Sequence, residues 1–324
     1  LDTPPKKALV LGATGGIGSE VARQLISLGW QVNGLARKLN KDQYIKESKK
    51  ITWIQGDALN ETDIELAAQG CSVIIHAVNP PGYKNWAGLV LPMLQNTISV
   101  AKKLNAAIVL PGTIYNYGPD SFPLISESSP QKPLTRKGTI RVKMEQDLER
   151  FAHSGGQVII VRAGDFFGPS AVNSWFSQGL IKPNKPINII HNPASLNIGH
   201  QWSYLPDVAK TMVTLIEKRG CLDPFSTFHT KGFWDDDGQQ MTNAICRVVQ
   251  KNTGKKPRVR PTPWWIMRLI SPFQETLREL IEMQYLWQEP VQMNNEKLLT
   301  FMTDEPTTPI DIAIENTLKA LKCI

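Results

Sequence analysis

Three glycines at equal spacing form the clearest chemical feature of the chain. An apolar run, residues 8–11, precedes them, and apolar residues at helical spacing follow them. In such a turn glycine permits a tight bend, a close approach of backbone to a pyrophosphate, and close packing of helix on strand. The helix N-terminus then presents free N–H groups to the phosphates. We therefore predict dinucleotide binding by Gly12, Thr14, Gly15, Gly16, Ile17 and Gly18.

The residues after the second strand-like run, 31–36, indicate which dinucleotide binds. An acidic residue at this point accepts hydrogen bonds from the adenosine ribose, whereas an arginine neutralises a 2′-phosphate. Here the chain has Arg37 and Lys38, and no carboxylate follows until Asp42. The basic pair favours NADP as the cofactor, with NAD as the alternative. A solvated pair that touches no ligand is the other interpretation.

Alternating strand-like and helical segments must position these residues. Helical patterns, including those over 86–104 and 139–153, separate apolar runs that predict strands. The alternation indicates an α/β fold, a doubly wound parallel sheet of the Rossmann type, with its ligand crevice at the carboxyl ends of the strands. The six predicted strands span residues 8–11, 31–36, 51–54, 73–77, 107–110 and 158–161.

The regular alternation ends beyond the sixth strand, where prolines and asparagines become frequent. We predict a dinucleotide-binding domain over residues 1–168 and a smaller C-terminal lobe, mostly substrate-binding, over 169–324. A helix over 207–218 is expected to return to the sheet. A strand that begins at Phe225 is assigned to the smaller lobe.

Composition narrows the classes of partner. The net charge of +7 suits a phosphate pocket as well as a polyanion, and no nucleic-acid-binding module is recognisable. The four cysteines and five histidines lack metal-ligand spacing, and the longest apolar run is too short to span a bilayer. The first seven residues do not resemble a signal peptide. We expect a cytoplasmic protein with a small-molecule substrate and with no metal, nucleic-acid or membrane partner.

The segment from Val10 to Gly18 resembles the glycine turn of the extended short-chain dehydrogenases/reductases, in particular the NAD-dependent epimerase/dehydratase family. The resemblance covers roughly residues 6–220. It implies that Asp57 and Ala58 lie near adenine and that Ala77 lies against the adenosine ribose. It also implies that Ala163 lies near the nicotinamide, and that a homodimer forms through the helices over 86–104 and 139–153.

The resemblance also implies a reaction centre. In that superfamily a Ser or Thr after the fifth strand works with a Tyr-x-x-x-Lys pair on the next helix, in which the tyrosine is the general acid/base. Thr113 falls at the Ser/Thr position, and Lys143 matches the lysine, which also holds the nicotinamide ribose. Counting back four residues gives Thr139, and the sequence contains no Tyr-x-x-x-Lys.

An aliphatic hydroxyl is a far weaker acid than a phenol, so Thr139 does not replace the tyrosine. Three alternatives remain open. Tyr115, which we prefer, or Tyr117 supplies a phenol from the other side of the pocket. Substrate hydroxyls or water relay the proton with help from Lys143. The third is that the site binds a cofactor without hydride chemistry.

These alternatives lead to two predicted functions. The first is an NAD(P)-binding oxidoreductase or epimerase with a non-standard acid/base residue, acting on a carbonyl or hydroxyl of a small molecule, with a sugar-related compound among the candidates. The second is an NADP-binding regulatory or catalytically lapsed protein. Whether the chain turns over a substrate is left open by the sequence.

Overall fold

A computed structural model describes residues 5–38, 50–80 and 85–324. Its strands, in chain order, are β1 (Lys7–Leu11), β2 (Gln31–Ala36), β3 (Ile51–Gln55), β4 (Val73–His76), β5 (Ala107–Gly112), β6 (Leu124–Ile125), β7 (Val158–Arg162), β8 (Asp165–Phe167), β9 (Ile189–Asn192), β10 (His200–Tyr204), β11 (Phe225–His229), β12 (Phe233–Asp235), β13 (Arg258–Pro261) and β14 (Gln292–Met293). Its α-helices are α1 (Gly16–Ser27), α2 (Glu61–Ala67), α3 (Trp86–Leu104), α4 (Arg136–His153), α5 (Leu205–Glu217), α6 (Gln240–Thr253), α7 (Trp264–Ile270), α8 (Glu275–Glu282), α9 (Glu296–Phe301) and α10 (Ile310–Ala320).

Seven parallel strands form the central sheet, in the order β11-β7-β5-β4-β1-β2-β3. Strand β1 lies inside the sheet, where Leu11 pairs with Leu35 on one side and with His76 on the other. The carboxyl ends of β1, β2 and β4 therefore meet at one edge. The predicted doubly wound parallel sheet is confirmed.

Helices cover both faces of the sheet because its strands are apolar on both sides. Ala8 and Val10 of β1 pack in one core with α1 and α5, whereas Leu9 and Leu11 pack in the opposite core with α3 and α4. Helix α5 packs its buried residues, Val208 among them, against this first core. The predicted return of this helix to the sheet is confirmed.

Strand β11 lies in the central sheet and not in the smaller lobe, where the sequence pattern had placed it. It pairs in parallel with β7, from Phe225 beside Val158 to His229 beside Arg162. Its position follows from α5, because a strand–helix–strand connection places the next parallel strand beside the last one. The proposed division at residue 168 stays a prediction.

The remaining C-terminal residues pack around a separate core, which contains Trp202, Trp287 and Phe176. Strand β10 pairs in parallel with β8 and antiparallel with β12, and β9 pairs with β13. Apart from β8, which precedes residue 169, these strands lie in the part of the chain predicted as the substrate lobe. Within the described residues, no helix has both the length and the hydrophobicity needed to cross a bilayer.

Candidate functional site

The glycine turn brings the end of β1 into contact with the segment after β4. Gly12 has φ of 87°, and a Cβ built on it would lie 2.5 Å from the carbonyl oxygen of Ala77. A Cβ on Gly18 would lie 2.2 Å from the carbonyl oxygen of Gly12. Both positions exclude a side chain, as close packing of the turn and the helix requires.

The N-terminus of α1 is open to solvent, whereas Gly12 and Gly18 are closely packed. Thr14 and Gly15 are exposed, and among the described residues no side chain caps the helix at Gly15. A Cβ on Gly15 would touch only the Gly12 carbonyl oxygen, at 3.3 Å. The first N–H groups of a helix have no partner within the helix, so this end presents donors and a partial positive charge to an anion. Gly16 packs against Ser170 and Ile17 is buried, so these two support the turn.

The other residues expected to contact the cofactor follow β2, β3, β4 and β7. Arg37 and Lys38 are exposed at the end of β2. Asp57 follows β3, where its carboxylate accepts a hydrogen bond from the Leu59 N–H at 3.0 Å. The others lie where a strand has just ended in the central sheet; they are Ala58, Ala77 and Ala163.

The turn after β5 carries Thr113 and Tyr115, both half-buried. The Thr113 hydroxyl donates to Asn116 Oδ1 at 3.3 Å, and the Asn116 amide donates to Gln131 Oε1 at 2.9 Å. These hydrogen bonds fix the turn beside the N-terminus of α4. The structure therefore places Thr113 and Tyr115 at the same edge of the sheet as the glycine turn.

Tyr117 lies in the core, in contrast to Tyr115. Its side chain is fully buried, and its hydroxyl lies 3.3 Å from His229 Nε2. Burial raises the pKa of Tyr117, and burial together with the charge of Arg162 holds the pKa of His229 well below its usual value. The neutral imidazole also accepts from Arg162 Nε at 3.2 Å. Of the two tyrosines considered as proton donors, Tyr117 is thus part of a buried structural network.

Arg162 at the end of β7 anchors this region. Its guanidinium is completely buried and binds Glu145 of α4, with Nη2 and Oε2 2.8 Å apart. It also donates to the carbonyl oxygen of Thr113. A buried charge without its partner is very unfavourable, so this ion pair fixes α4 and the Thr113 turn relative to the sheet. The sequence did not single out Glu145.

Helix α4 does not present the expected lysine to this site. The Lys143 side chain is 46% exposed and pairs with Asp147, with Nζ and Oδ1 3.1 Å apart. Thr139 is exposed too, and its hydroxyl donates to the carbonyl oxygen of Thr135, the N-cap of the helix. The expectation that 139 and 143 face the reaction centre is corrected here: helical geometry turns these two positions outward when Met144 and Leu148 are buried.

The buried pair at the same spacing is Lys137 and Arg141, which are 3% and 6% exposed. Gly138 makes this possible, because a Cβ there would lie 2.2 Å from the carbonyl oxygen of Tyr115. The helix therefore begins in direct contact with the Tyr115 turn. Arg141 extends to the end of β4, where its Nη2 donates to Asn79 Oδ1 at 3.3 Å.

The same guanidinium affects the ring of His76, at the end of β4. Burial and, to a smaller extent, the charge of Arg141 lower the pKa of His76 to about 3. The ring is neutral, and its Nδ1 lies 2.9 Å from Thr97 Oγ1, which itself donates to the Met93 carbonyl oxygen. Because that hydroxyl proton is used, Nδ1 carries the ring proton.

The sequence contained a signal for this register. Met144 and Leu148 are apolar residues four positions apart in this helix, and residues seven apart lie on one face. Counting back seven from each gives 137 (144 − 7) and 141 (148 − 7). The buried face of the helix therefore continues through Lys137 and Arg141, two basic residues that do not match the Tyr-x-x-x-Lys motif.

The acidic run 235–237 serves as a helix cap. Asp235 accepts from the N–H groups of Gln240 and Met241 at the start of α6, each at 3.0 Å. Asp237 accepts from the N–H of Gln239 at 2.8 Å. The carboxylate oxygens of this run lie within 4.8 Å of one another, and the N–H groups at the start of α6 are their hydrogen-bond donors.

The fold and the turn define a Rossmann-type protein with a dinucleotide site at the carboxyl edge of its sheet. The sequence profile of the NAD dependent epimerase/dehydratase family matches residues 8–223. This is more than half of the chain, and it includes the glycine turn, the turn after β5 and all of α4. The chain belongs to this family.

Relatives and solved structures agree with this assignment. The 2-alkyl-3-oxoalkanoate reductase of Shewanella oneidensis is 34% identical over 76 residues, which are 23% of this chain and 19% of that protein. The anthocyanidin reductase of Arabidopsis thaliana is 28% identical over 109 residues, which are 31% of this chain and 32% of that protein. These matches span a third or less of either relative.

Similarity of fold extends over nearly the whole chain. The crystal structure of UDP-glucuronic acid 4-epimerase from Bacillus cereus, in complex with UDP-glucuronic acid and NAD, superposes with a TM-score of 0.73. The match covers 98% of this chain and 99% of the epimerase at 17% identity. At that identity the match shows a shared fold, including the C-terminal residues that the family profile does not reach.

Proposed function

We propose that this protein is an NADP(H)-dependent oxidoreductase or epimerase acting on a carbonyl or hydroxyl group of a small molecule. One observation carries the proposal. The glycine turn, with the uncapped N-terminus of α1, and the buried Lys137–Arg141 pair lie at the same edge of one parallel sheet. The glycines fit the cofactor, because side chains are excluded where the turn packs and the backbone is open where phosphates approach. When bound, the nicotinamide would accept or donate a hydride.

Lys137 takes the place of the family's tyrosine in this proposal. The reference pKa of lysine, about 10.4, is close to that of tyrosine, about 10, so an ammonium can supply the same proton. As hydride reaches the carbonyl carbon, Lys137 donates a proton to the carbonyl oxygen, and in the reverse direction it accepts one. The Thr113 hydroxyl turns from Asn116 Oδ1 and donates its proton to that oxygen. Tyr115 remains the alternative proton donor, since its half-buried side chain lies on the turn against which α4 begins.

NADP is the proposed cofactor because Arg37 and Lys38 are exposed at the end of β2. The solved neighbours contain NAD, which keeps NAD as the alternative. A guanidinium pairs with a phosphate through two parallel hydrogen bonds. At the end of β2, beside the adenosine ribose, Arg37 would find such a phosphate in NADP, which carries a 2′-phosphate, and not in NAD.

We propose a carbonyl compound other than a nucleotide sugar as the substrate. Gln201 stands near the place where sugar-nucleotide members carry an arginine for the diphosphate. It is 1% exposed, its amide donates to the Thr230 carbonyl oxygen at 2.6 Å, and its Oε1 accepts from the Met293 N–H at 2.7 Å. Both polar groups of the side chain are thus used inside the protein. The curated relatives named as reductases agree with this choice.

Equilibrium titration of the full chain with NADPH and NADH tests the cofactor. We expect tighter binding of NADPH, and we expect Arg37→Glu to weaken NADPH by about tenfold or more while NADH changes little, since only NADPH carries the 2′-phosphate. Lys102→Glu, an exposed charge reversal on α3, is the matched control. Equal affinity of wild type and Arg37→Glu for NADPH would contradict the NADP assignment.

A panel of carbonyl and hydroxyl compounds, followed by NADPH absorbance and by isotope exchange for epimerisation, tests the reaction. Turnover supports the enzyme proposal. Tight cofactor binding with no turnover on any compound would favour the regulatory or catalytically lapsed alternative. A homodimer through α3 and α4 stays a prediction for sedimentation measurements.

A further inference from the structure

Helix α7 and the turn after it carry large apolar side chains that point away from the protein. Five of them form what we term the 265–273 surface: Trp265, Ile266, Leu269, Ile270 and Phe273. Trp265 and Leu269 are each 67% exposed and Phe273 is 88% exposed. Spacings of three and four residues put such side chains on one side of a helix, so they form a continuous patch. Patches of exposed apolar side chains on this scale mark interaction sites.

The opposite side of α7 is attached to the protein. The Trp264 indole N–H donates to the Pro193 carbonyl oxygen at 3.1 Å, and its ring centroid lies 5.7 Å from that of Trp175. Arg268 donates to Gln284 Oε1 at 2.9 Å. These contacts hold the helix by one side and leave the 265–273 surface outward, so the exposed apolar residues belong to an ordered element.

The chain that leads into this surface is basic, whereas α8, which follows the surface, carries glutamates at 275, 279 and 282. Residues 251–274 contain six basic residues and no acidic residue. Four of the six are exposed on β13 and the residues just before it; they are Lys255, Lys256, Arg258 and Arg260. A patch with tryptophan, aliphatic side chains and a basic border matches the chemistry of an anionic bilayer surface, where indoles lie at headgroup level and cations attract lipid phosphates.

We propose that the 265–273 surface docks the protein on the surface of an anionic lipid bilayer. The apolar side chains enter the headgroup region while the basic residues contact phosphate oxygens, and no segment crosses the bilayer. A second copy of the chain fits less well. In a two-fold dimer the same patch meets itself, which would bring the two basic borders together.

Vesicle flotation of the purified full chain tests the proposal, with vesicles of phosphatidylcholine alone or mixed equally with phosphatidylglycerol. We expect binding to the mixed vesicles only, and loss of most of it at about 0.5 M NaCl, where charges are strongly screened. Leu269→Ser with Phe273→Ser should reduce binding by about tenfold or more, because both side chains lose their apolar area. Arg258→Glu with Arg260→Glu should do the same through charge.

Matched variants lie elsewhere on the surface. Leu196→Ser removes an aliphatic side chain that is 74% exposed, and Lys102→Glu with Lys322→Glu reverses two exposed charges. Both should bind vesicles like wild type. The proposal is overturned if wild type floats with neither vesicle, or if the serine variant binds as well as wild type. It is also overturned if that variant turns a wild-type dimer into a monomer in light scattering without changing vesicle binding.

Discussion

At the level of single residues, the proposed proton transfer depends on which lysine of α4 acts in the reaction. Lys137 is buried beside the Tyr115 turn, whereas Lys143 forms a half-exposed ion pair with Asp147. Proton transfer by a positioned side chain contributes about 10²–10⁴-fold to rate. We therefore expect Lys137→Ala to lower kcat by that factor and to leave the cofactor Kd within about threefold, because the glycine turn is untouched.

Lys143→Ala is the control for this prediction, since it removes the same residue type from the same helix. We expect nearly unchanged turnover, because Asp147 keeps Arg150 and Gln95 as partners when Lys143 is removed. Steady-state kinetics on a substrate found by the panel would measure both variants. A large loss in Lys143→Ala with none in Lys137→Ala would restore the sequence-based choice. Tyr115→Phe distinguishes the remaining alternative, because it removes only the phenol oxygen.

At the scale of elements, the buried Arg162–Glu145 pair ties β7 to α4. Breaking such a pair by removing one partner costs about 3–5 kcal/mol, because the remaining charge stays in a place without water. We expect Glu145→Ala to lower the free energy of unfolding by about that amount, measured by urea denaturation.

Glu149→Ala is the matched control, since Glu149 is an exposed acid on the same helix. We expect a change within about 0.5 kcal/mol, as is usual for surface positions. Equal stability of the Glu145 and Glu149 variants would mean that the buried pair does not position α4. Arg162 also holds the Thr113 carbonyl, so any residual activity of the Glu145 variant should fall as well.

The elements also show where the sequence was sufficient. Strand β1, the turn and α1 were predictable because an apolar strand, spaced glycines and an amphipathic helix all carry local signals. The orientation of α4 was not, because the lysine motif was matched without regard to which face of the helix is buried. What fixes the orientation is the contact of Gly138 with the Tyr115 carbonyl and the burial of Glu145, and both are set by tertiary packing.

Strand β11 was misplaced for a similar reason. Its residues include Ser226 and His229, which read as a weak, polar strand, although both are buried in the structure. Their burial depends on β7 beside them and on the network of Arg162, and neither is visible in the local sequence. Pairing between strands far apart in the chain is decided by the whole sheet.

At the scale of the whole molecule, the parallel sheet collects loops from distant parts of the chain at one edge. The glycine turn, the Thr113 turn and the start of α4 meet there, and the C-terminal residues complete a fold that NAD-dependent epimerases share. The 265–273 surface belongs to those C-terminal residues. The family profile covers the glycine turn, the Thr113 turn and α4, whereas the 265–273 surface lies beyond the residues that the profile matches.

The central claim is that the open N-terminus of α1 binds the phosphates of a nicotinamide dinucleotide. Gly15 allows a sharp test, because its φ of −91° and ψ of 173° suit valine and, within the described part of the chain, a Cβ there approaches only the Gly12 carbonyl oxygen, at 3.3 Å. Gly15→Val should therefore fold normally while its methyl groups occupy the phosphate position. Gly220→Val, at a site where a Cβ meets nothing within 4 Å, is the control.

The measurement is the NADPH dissociation constant of wild type and both variants by fluorescence titration. We expect wild type and Gly220→Val to bind alike, and Gly15→Val to bind about tenfold more weakly or not at all, with an unchanged circular dichroism spectrum. Equal binding of NADPH by Gly15→Val and wild type would contradict the central claim.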